Sequence, residues 1–161
     1  MSIVSLFLVN ILFAILWMLL WGAFDLYTLA AGFVLGYLML AVVGGAMPQG
    51  RAYAAKVLRL LSFTGYFFKI LIQSNLQVAR EVITPGLGMS PRFIRFPVAG
   101  LSDFELTSFA NTITLTPGTL SVDVSPDGSY LYVHCMYAKD PQQAADDLRS
   151  LLDRMKKEFF A

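Results

Sequence analysis

The chain has 161 residues, 57% of them apolar, a net charge of +1 and only 14% charged side chains, against about 25% in ordinary soluble domains. That balance excludes a broad basic surface for nucleic acid, and a single cysteine, Cys135, excludes an internal disulfide framework and suits a reducing compartment. The charge is lopsided: residues 1–50 hold one charged side chain, Asp25, so a membrane segment followed by a polar segment is expected.

The opening "MSIVSLFLVN" lacks the basic start and cleavage pattern of a signal peptide, so it reads as an anchor that stays. Ile3 to Phe24 and Leu26 to Met47 run without a charge, each long enough for the ~20 residues that cross a bilayer core. Helices over about 3–24 and 26–47 are therefore expected, paired in a tight hairpin with Asp25 in its turn. Trp17, Trp21 and Tyr27 suit the headgroup level. On the second helix Thr28, Gly32 and Gly36 recur every four residues, and Ala41 and Gly45 repeat the spacing. Small residues let helix backbones approach in lipid, so Gly32 and Gly36 are the expected packing face, against the first helix or another subunit. Asn10, inside the first span, is a candidate interhelical hydrogen-bond donor.

A third helix, over about 54–82, carries Arg59, Ser62, Tyr66, Lys69, Gln73, Gln77 and Arg80 as one narrow polar stripe. Such a helix lies in the interface with its stripe toward water, or spans with the stripe buried against partners. The basic residues Arg51, Lys56 and Arg59 favour two spans, an interfacial or obliquely buried third helix, and cytoplasmic chain ends. Lys69 is costly if intramembrane and merely solvated on a surface helix.

"TPGLGMSPR" (84–92) reads as a linker, dividing a membrane domain, 1–83, from a cytoplasmic domain, 84–161. A strand at 92–98 follows. Ser102 and Glu105 form a capping box for a helix to about Thr114. "TLSVDV" and "YLYVHCM" flank "SPDG", a type I turn pattern. Two registers compete: turn chemistry sets Val122 opposite Tyr132, whereas hydrophobic alternation sets Val122 opposite Leu131. Asp140 caps a last helix with Pro141 at its first position, and Leu148, Leu151, Leu152, Met155 and Phe159 share one face. The fold class is a membrane protein: an α-helical N-terminal hairpin, an amphipathic or third transmembrane helix, and a small C-terminal α+β domain ordered β-α-β-β-α. Its roughly 70 residues support only a marginal core, so it is expected to lean on the membrane helices or another subunit.

No P-loop, paired-glycine fingerprint, H-E-x-x-H or C-x-x-C occurs. His134 sits mid-strand without neighbouring ligands, Asp127 is a turn residue beside Asp123, and no span holds a carboxylate to carry a proton or cation. The chain is therefore expected to be no enzyme, with no catalytic, cofactor-binding or metal residues. "NTITLTPGTLSVDV" (111–124) becomes a helix-to-strand connector, a surface presented to a partner, or both.

That segment, extended as "ANTITLTPGTLSVDV" and followed by "LYVHCM", resembles the E-type subunits of the multisubunit Mrp-type (Mnh) sodium/proton antiporters, and the likeness covers nearly the whole chain. The resemblance implies a non-catalytic accessory or assembly subunit of a complex exchanging cytoplasmic monovalent cations, sodium among them, for external protons. It also implies other membrane subunits and the lipid bilayer as partners, with the ion paths in larger subunits. Thr114, Thr116, Pro117, Gly118, Thr119 and Asp123 carry over as a family signature or docking set, with no catalytic role. The alternative is a stand-alone membrane-anchored sensor or adaptor whose α+β domain binds a small ligand.

Overall fold

The structure is a computed structural model that describes residues 3–43, 48–85 and 88–160. It divides into two compact units, residues 1–61 and 62–161, the boundary falling inside one long helix.

In the first unit α1 (Ile3–Trp21) and α2 (Leu26–Val43) form the hairpin. α1 stops at Trp21 rather than Phe24: Gly22 turns to φ +64°, and its N–H donates to the Leu19 carbonyl at 3.3 Å. The Asp25 carboxylate accepts from the Thr28 backbone N–H at 2.8 Å and from the Thr28 hydroxyl at 3.0 Å. These bonds satisfy a donor that α2 would otherwise leave bare. They also hold the Asp25 carboxyl below its ordinary value. Among the described residues, α1 is the helix long and apolar enough to cross a membrane, and Leu26–Val42 is apolar but shorter. The expected α2 end at Met47, and Gly45 with it, lie outside the described residues. α3 runs Pro48–Ile83 and starts earlier than the expected position near 54; proline suits a first helical turn, where its missing N–H has no partner to lose.

The second unit holds the last part of α3 and the β-α-β-β-α sequence. Its strands β1 (Arg92–Pro97), β2 (Thr119–Val124) and β3 (Tyr130–Cys135) form an antiparallel sheet in the order β1-β3-β2. α4 (Asp103–Leu115) and α5 (Pro141–Arg154) contribute to one core, and a π-helical segment, Met155–Phe160, follows α5. Alternation selects the covered face of the sheet: Ile94 and Phe96 of β1 and Leu131, Val133 and Cys135 of β3 are buried. They meet Phe109 and Ile113 of α4, Leu148, Leu151 and Leu152 of α5, and Phe63 of α3. Fully buried Phe109 and Val133 contribute about 1.5–3 kcal/mol each by leaving water. Of the α3 stripe, Ser62 accepts from the Arg154 guanidinium at 3.2 Å, and the Tyr66 ring lies 4.3 Å beneath it.

The β2–β3 register matches neither competing expectation throughout. Ser125 and Gly128 close the turn, with the Gly128 N–H donating to the Ser125 carbonyl at 2.8 Å. The Ser125 N–H then donates to Tyr130, not Ser129, so Val124 faces Leu131 and Asp123 faces Tyr132. The loop is thus one residue longer than the turn rule gives. A bulge at Val122 absorbs the extra residue, and Ser121, Leu120 and Thr119 pair with Val133, His134 and Cys135.

Candidate functional site

The threonine segment is built from the end of α4 outward. Ser102 and Glu105 close the capping box at the helix start. At the other end three donors converge on the Ile113 carbonyl: the Thr116 N–H at 3.0 Å and the Thr116 and Thr119 hydroxyls, each at 2.7 Å. A carbonyl offers two lone pairs. One hydroxyl therefore takes the second, and the other donates to its neighbour hydroxyl, 2.6 Å away. One turn back, the Thr114 hydroxyl donates to the Ala110 carbonyl at 3.0 Å and accepts from the Ser121 N–H at 3.2 Å. The Ser121 hydroxyl donates to the same Ala110 carbonyl at 3.0 Å. These bonds lace α4 to β2, an edge strand whose outward backbone groups would otherwise stand open.

Pro117 and Gly118 turn the chain from helix to strand. Gly118 has φ +89°, a conformation that suits glycine, and an added Cβ would lie 2.9 Å from the Tyr137 ring. Thr116, Pro117, Gly118 and Thr119 line a cleft of about 450 Å³ with Ile113, Cys135 and Tyr137. Tyr66, Lys69, Ile70, Gln73, Ser74 and Gln77 of α3 line it as well, together with Ala144, Asp147, Leu148, Ser150 and Leu151 of α5. The signature thus splits. Its four central residues line the cleft, whereas Thr114 braces β2, and Asp123 sits on β2, accepting from the Val124 N–H at 2.8 Å. Tyr137, Ser74, Asp147 and Ser150 join the site without having been singled out from sequence. Tyr137, directly after the "LYVHCM" stretch, carried the one usable signal.

The cleft's electrostatics are mild. Burial, with the Asp147 charge adding to it, pushes the Cys135 thiol up and away from the reactive thiolate. His134 lies against the Phe93 ring, centroids 5.2 Å apart, on the opposite face of β3 from buried Cys135. Asp127 is occupied in the turn, accepting from the Ser125 hydroxyl at 2.5 Å and the Ser129 N–H at 3.2 Å, which holds its carboxyl below the ordinary 3.8. Among the described residues no three His, Cys, Asp or Glu side chains gather as metal ligands. The Thr114, Thr116 and Thr119 hydroxyls are committed to backbone and to each other, an arrangement that makes a rigid turn.

Gly32 and Gly36 lie against α1. A Cβ on Gly32 would sit 2.7 Å from the Trp17 Cβ and 2.9 Å from the Ala14 Cα, inside the roughly 3.5–4.0 Å carbon contact distance. A Cβ on Gly36 would collide with the Asn10 side-chain oxygen. Asn10 is fully buried and donates from Nδ2 to the Tyr53 hydroxyl at 3.0 Å, while the Tyr37 hydroxyl donates to the Ala54 carbonyl at 3.3 Å. The close approach over Gly36 is thus what admits a polar side chain between three helices.

An apolar helical hairpin followed by a three-stranded unit, with a hydroxyl-laced turn as its most distinctive segment, defines a class of small membrane-anchored α+β proteins. The model of the family described as Na+/H+ ion antiporter subunit, MNHE, matches residues 10–158, and the chain belongs to that family. It is 28% identical over 151 residues to the E1 subunit of the Na(+)/H(+) antiporter of Staphylococcus haemolyticus, covering 94% of both chains. It is 31% identical over 147 residues to the corresponding E subunit of Bacillus subtilis, covering 91% of this chain and 92% of that one. Among solved structures it resembles a chain of the Mrp complex from Dietzia sp. DQ12-45-1b, with 33% identity, a TM-score of 0.50, and coverage of 63% of this chain and 96% of the other. It also resembles a chain of the membrane-bound sulfane sulfur reductase, an archaeal respiratory membrane complex, with 25% identity, a TM-score of 0.52, and coverage of 92% and 97%.

Proposed function

We propose that this chain is a non-catalytic accessory and assembly subunit of a multisubunit sodium/proton antiporter, working beside other membrane subunits. The observation that carries this reading is the family match across residues 10–158. The chemistry of the threonine segment supports it, since its hydroxyls hold the turn together and gather no reacting group. We also propose a multi-pass placement in the plasma (inner) membrane, with residues 84–161 on the cytoplasmic side. The support is the run Arg51, Lys56 and Arg59, which positive-inside bias places in the cytoplasm after two spans, with Asp25 outside. Gly32 and Gly36 act as helix-packing positions, and Thr114 to Thr119 with Asp123 act through shape.

Purification from mild detergent tests the reading. Recovery of this chain with several other membrane subunits, in fixed ratio, is expected. Recovery as a lone monomer or homodimer overturns it and favours the membrane-anchored sensor. Impermeant thiol labelling tests the topology. A cysteine introduced at the exposed position Lys139 should stay unlabelled in intact cells and react once the membrane is opened.

A further inference from the structure

Several polar groups lining the cleft beside the signature turn bond to no other described residue. Lys69, Gln73 and Gln77 lie four residues apart, on one face of α3, and all three are exposed. None makes a hydrogen bond or ion pair with another described residue. The Tyr137 hydroxyl, also at the cleft, is buried without a partner among the described residues. Such a lining asks for a polar occupant.

We propose that the cleft receives a short extended polypeptide segment, carrying an acidic side chain, from a loop or terminus of another membrane subunit; this rests on the reading that the chain works inside a complex. Spacing is the first reason. Side chains four apart on a helix repeat every ~6 Å along its axis, close to the ~6.6 Å two-residue repeat of an extended chain. The row from Lys69 to Gln77 covers ~12 Å, the reach of about four extended residues. Chemistry is the second reason. A glutamine carboxamide donates and accepts, as a peptide group does, so Gln73 and Gln77 can pair with alternate peptides of a strand laid along α3. Charge is the third. Among the described residues, Lys69 is the one cation lining the cleft and makes no ion pair, and the one carboxylate there, Asp147 on α5, accepts from Gln143 Nε2 at 2.9 Å. Lys69, at the end of the α3 row, therefore offers an unpaired ammonium to a carboxylate on the occupant. A single lysine is too little for a nucleotide or other polyanion, and the carboxamides fit an acyl chain poorly.

Two measurements on the intact complex test this. In unmodified complex, a carbodiimide activates carboxylates, and attack by the Lys69 amine forms an amide with net loss of one water, taken up by the reagent as a urea. In a second preparation, a photoreactive benzoylphenylalanine replaces Gln73 or Gln77. Both positions are exposed and tolerate a larger side chain. The expected result is that Lys69 joins an Asp, Glu or terminal carboxylate of another subunit, and that the photoadducts map to the same short stretch. Lys69→Glu should cut the photoadduct by about fivefold, the size of an exposed ion pair turned repulsive. Photoadducts on lipid or small molecules, or none at all, with the complex intact, overturn the inference and leave the subunit reading standing. Failure of the wild-type chain to purify with other subunits overturns both.

Discussion

The two units hold themselves together by opposite means. Between α1 and α2 the decisive residues are those with almost nothing to contribute: Gly32 and Gly36 bring the α2 backbone against Ala14, Trp17 and Asn10. In the second unit the decisive residues are hydroxyls, since Thr114, Thr116, Thr119 and Ser121 satisfy backbone groups at the α4–β2 junction. In an apolar surrounding hydrophobic burial gives helices little reason to pair, so close packing decides. In water every open carbonyl and N–H can be hydrated, so local bonds must outcompete solvent to fix a turn. A glycine lost from the hairpin should therefore hurt more than a hydroxyl lost from the turn.

Gly36→Leu is expected to have the largest effect. The added side chain must displace Asn10, and overpacking costs about 1–3 kcal/mol or more. Recovery of assembled complex should fall about tenfold, the change that ~1.4 kcal/mol produces. Gly65 on α3 has open space around its Cα and supplies the control: Gly65→Ala should leave recovery unchanged or raise it. Equal loss from both substitutions would mean that helix glycines matter here for flexibility and not for contact.

Gly118→Val comes next. Strain at φ +89° and the Tyr137 ring together should lower stability by about 1–3 kcal/mol, read as an earlier urea midpoint of the full chain in detergent. Thr116→Ala should cost less, about 1 kcal/mol, because Thr119 remains to bond the Ile113 carbonyl. A larger loss from Thr116→Ala than from Gly118→Val would reverse the ranking of shape over hydrogen bonding.

The smallest effect is on acid stability. The Ser102 backbone N–H and hydroxyl donate to Glu105 and hold its carboxyl below the ordinary 4.5. Bonds in the hairpin turn do the same for Asp127, below 3.8. A carboxyl depressed by folding stabilises above its unfolded value, and that contribution is lost as pH falls through the folded value. Stability should thus be flat from pH 7 to about 5 and decline below about 4.5, and Glu105→Gln should flatten that decline. An unchanged pH profile in Glu105→Gln would show that the cap carries no charge-dependent stability.

Much of this was legible in sequence wherever the signal is local. Ser102 and Glu105 are three residues apart and do form the cap, and Asp140 with Pro141 does start α5. The polar stripe of the third helix was visible too, but not what it faces. The cleft gathers residues 66–77, 116–119 and 144–151, and nothing local links those stretches. The bond from Asn10 to Tyr53 joins residues 43 apart for the same reason. The hairpin shows an intermediate case. Its turn chemistry was readable, but the register depended on where an extra residue could bulge, and the bulge falls at Val122.

The most direct test of the central claim, that the threonine-proline-glycine segment acts by shape, is cation/proton exchange in membrane vesicles carrying Thr116→Ala. Exchange is divided by the quantity of intact complex in the same membranes. Exchange per complex should match that of the unsubstituted chain, with any loss appearing only as less assembled complex. Abolished exchange with assembly unchanged would place Thr116 in the transport cycle and contradict the claim.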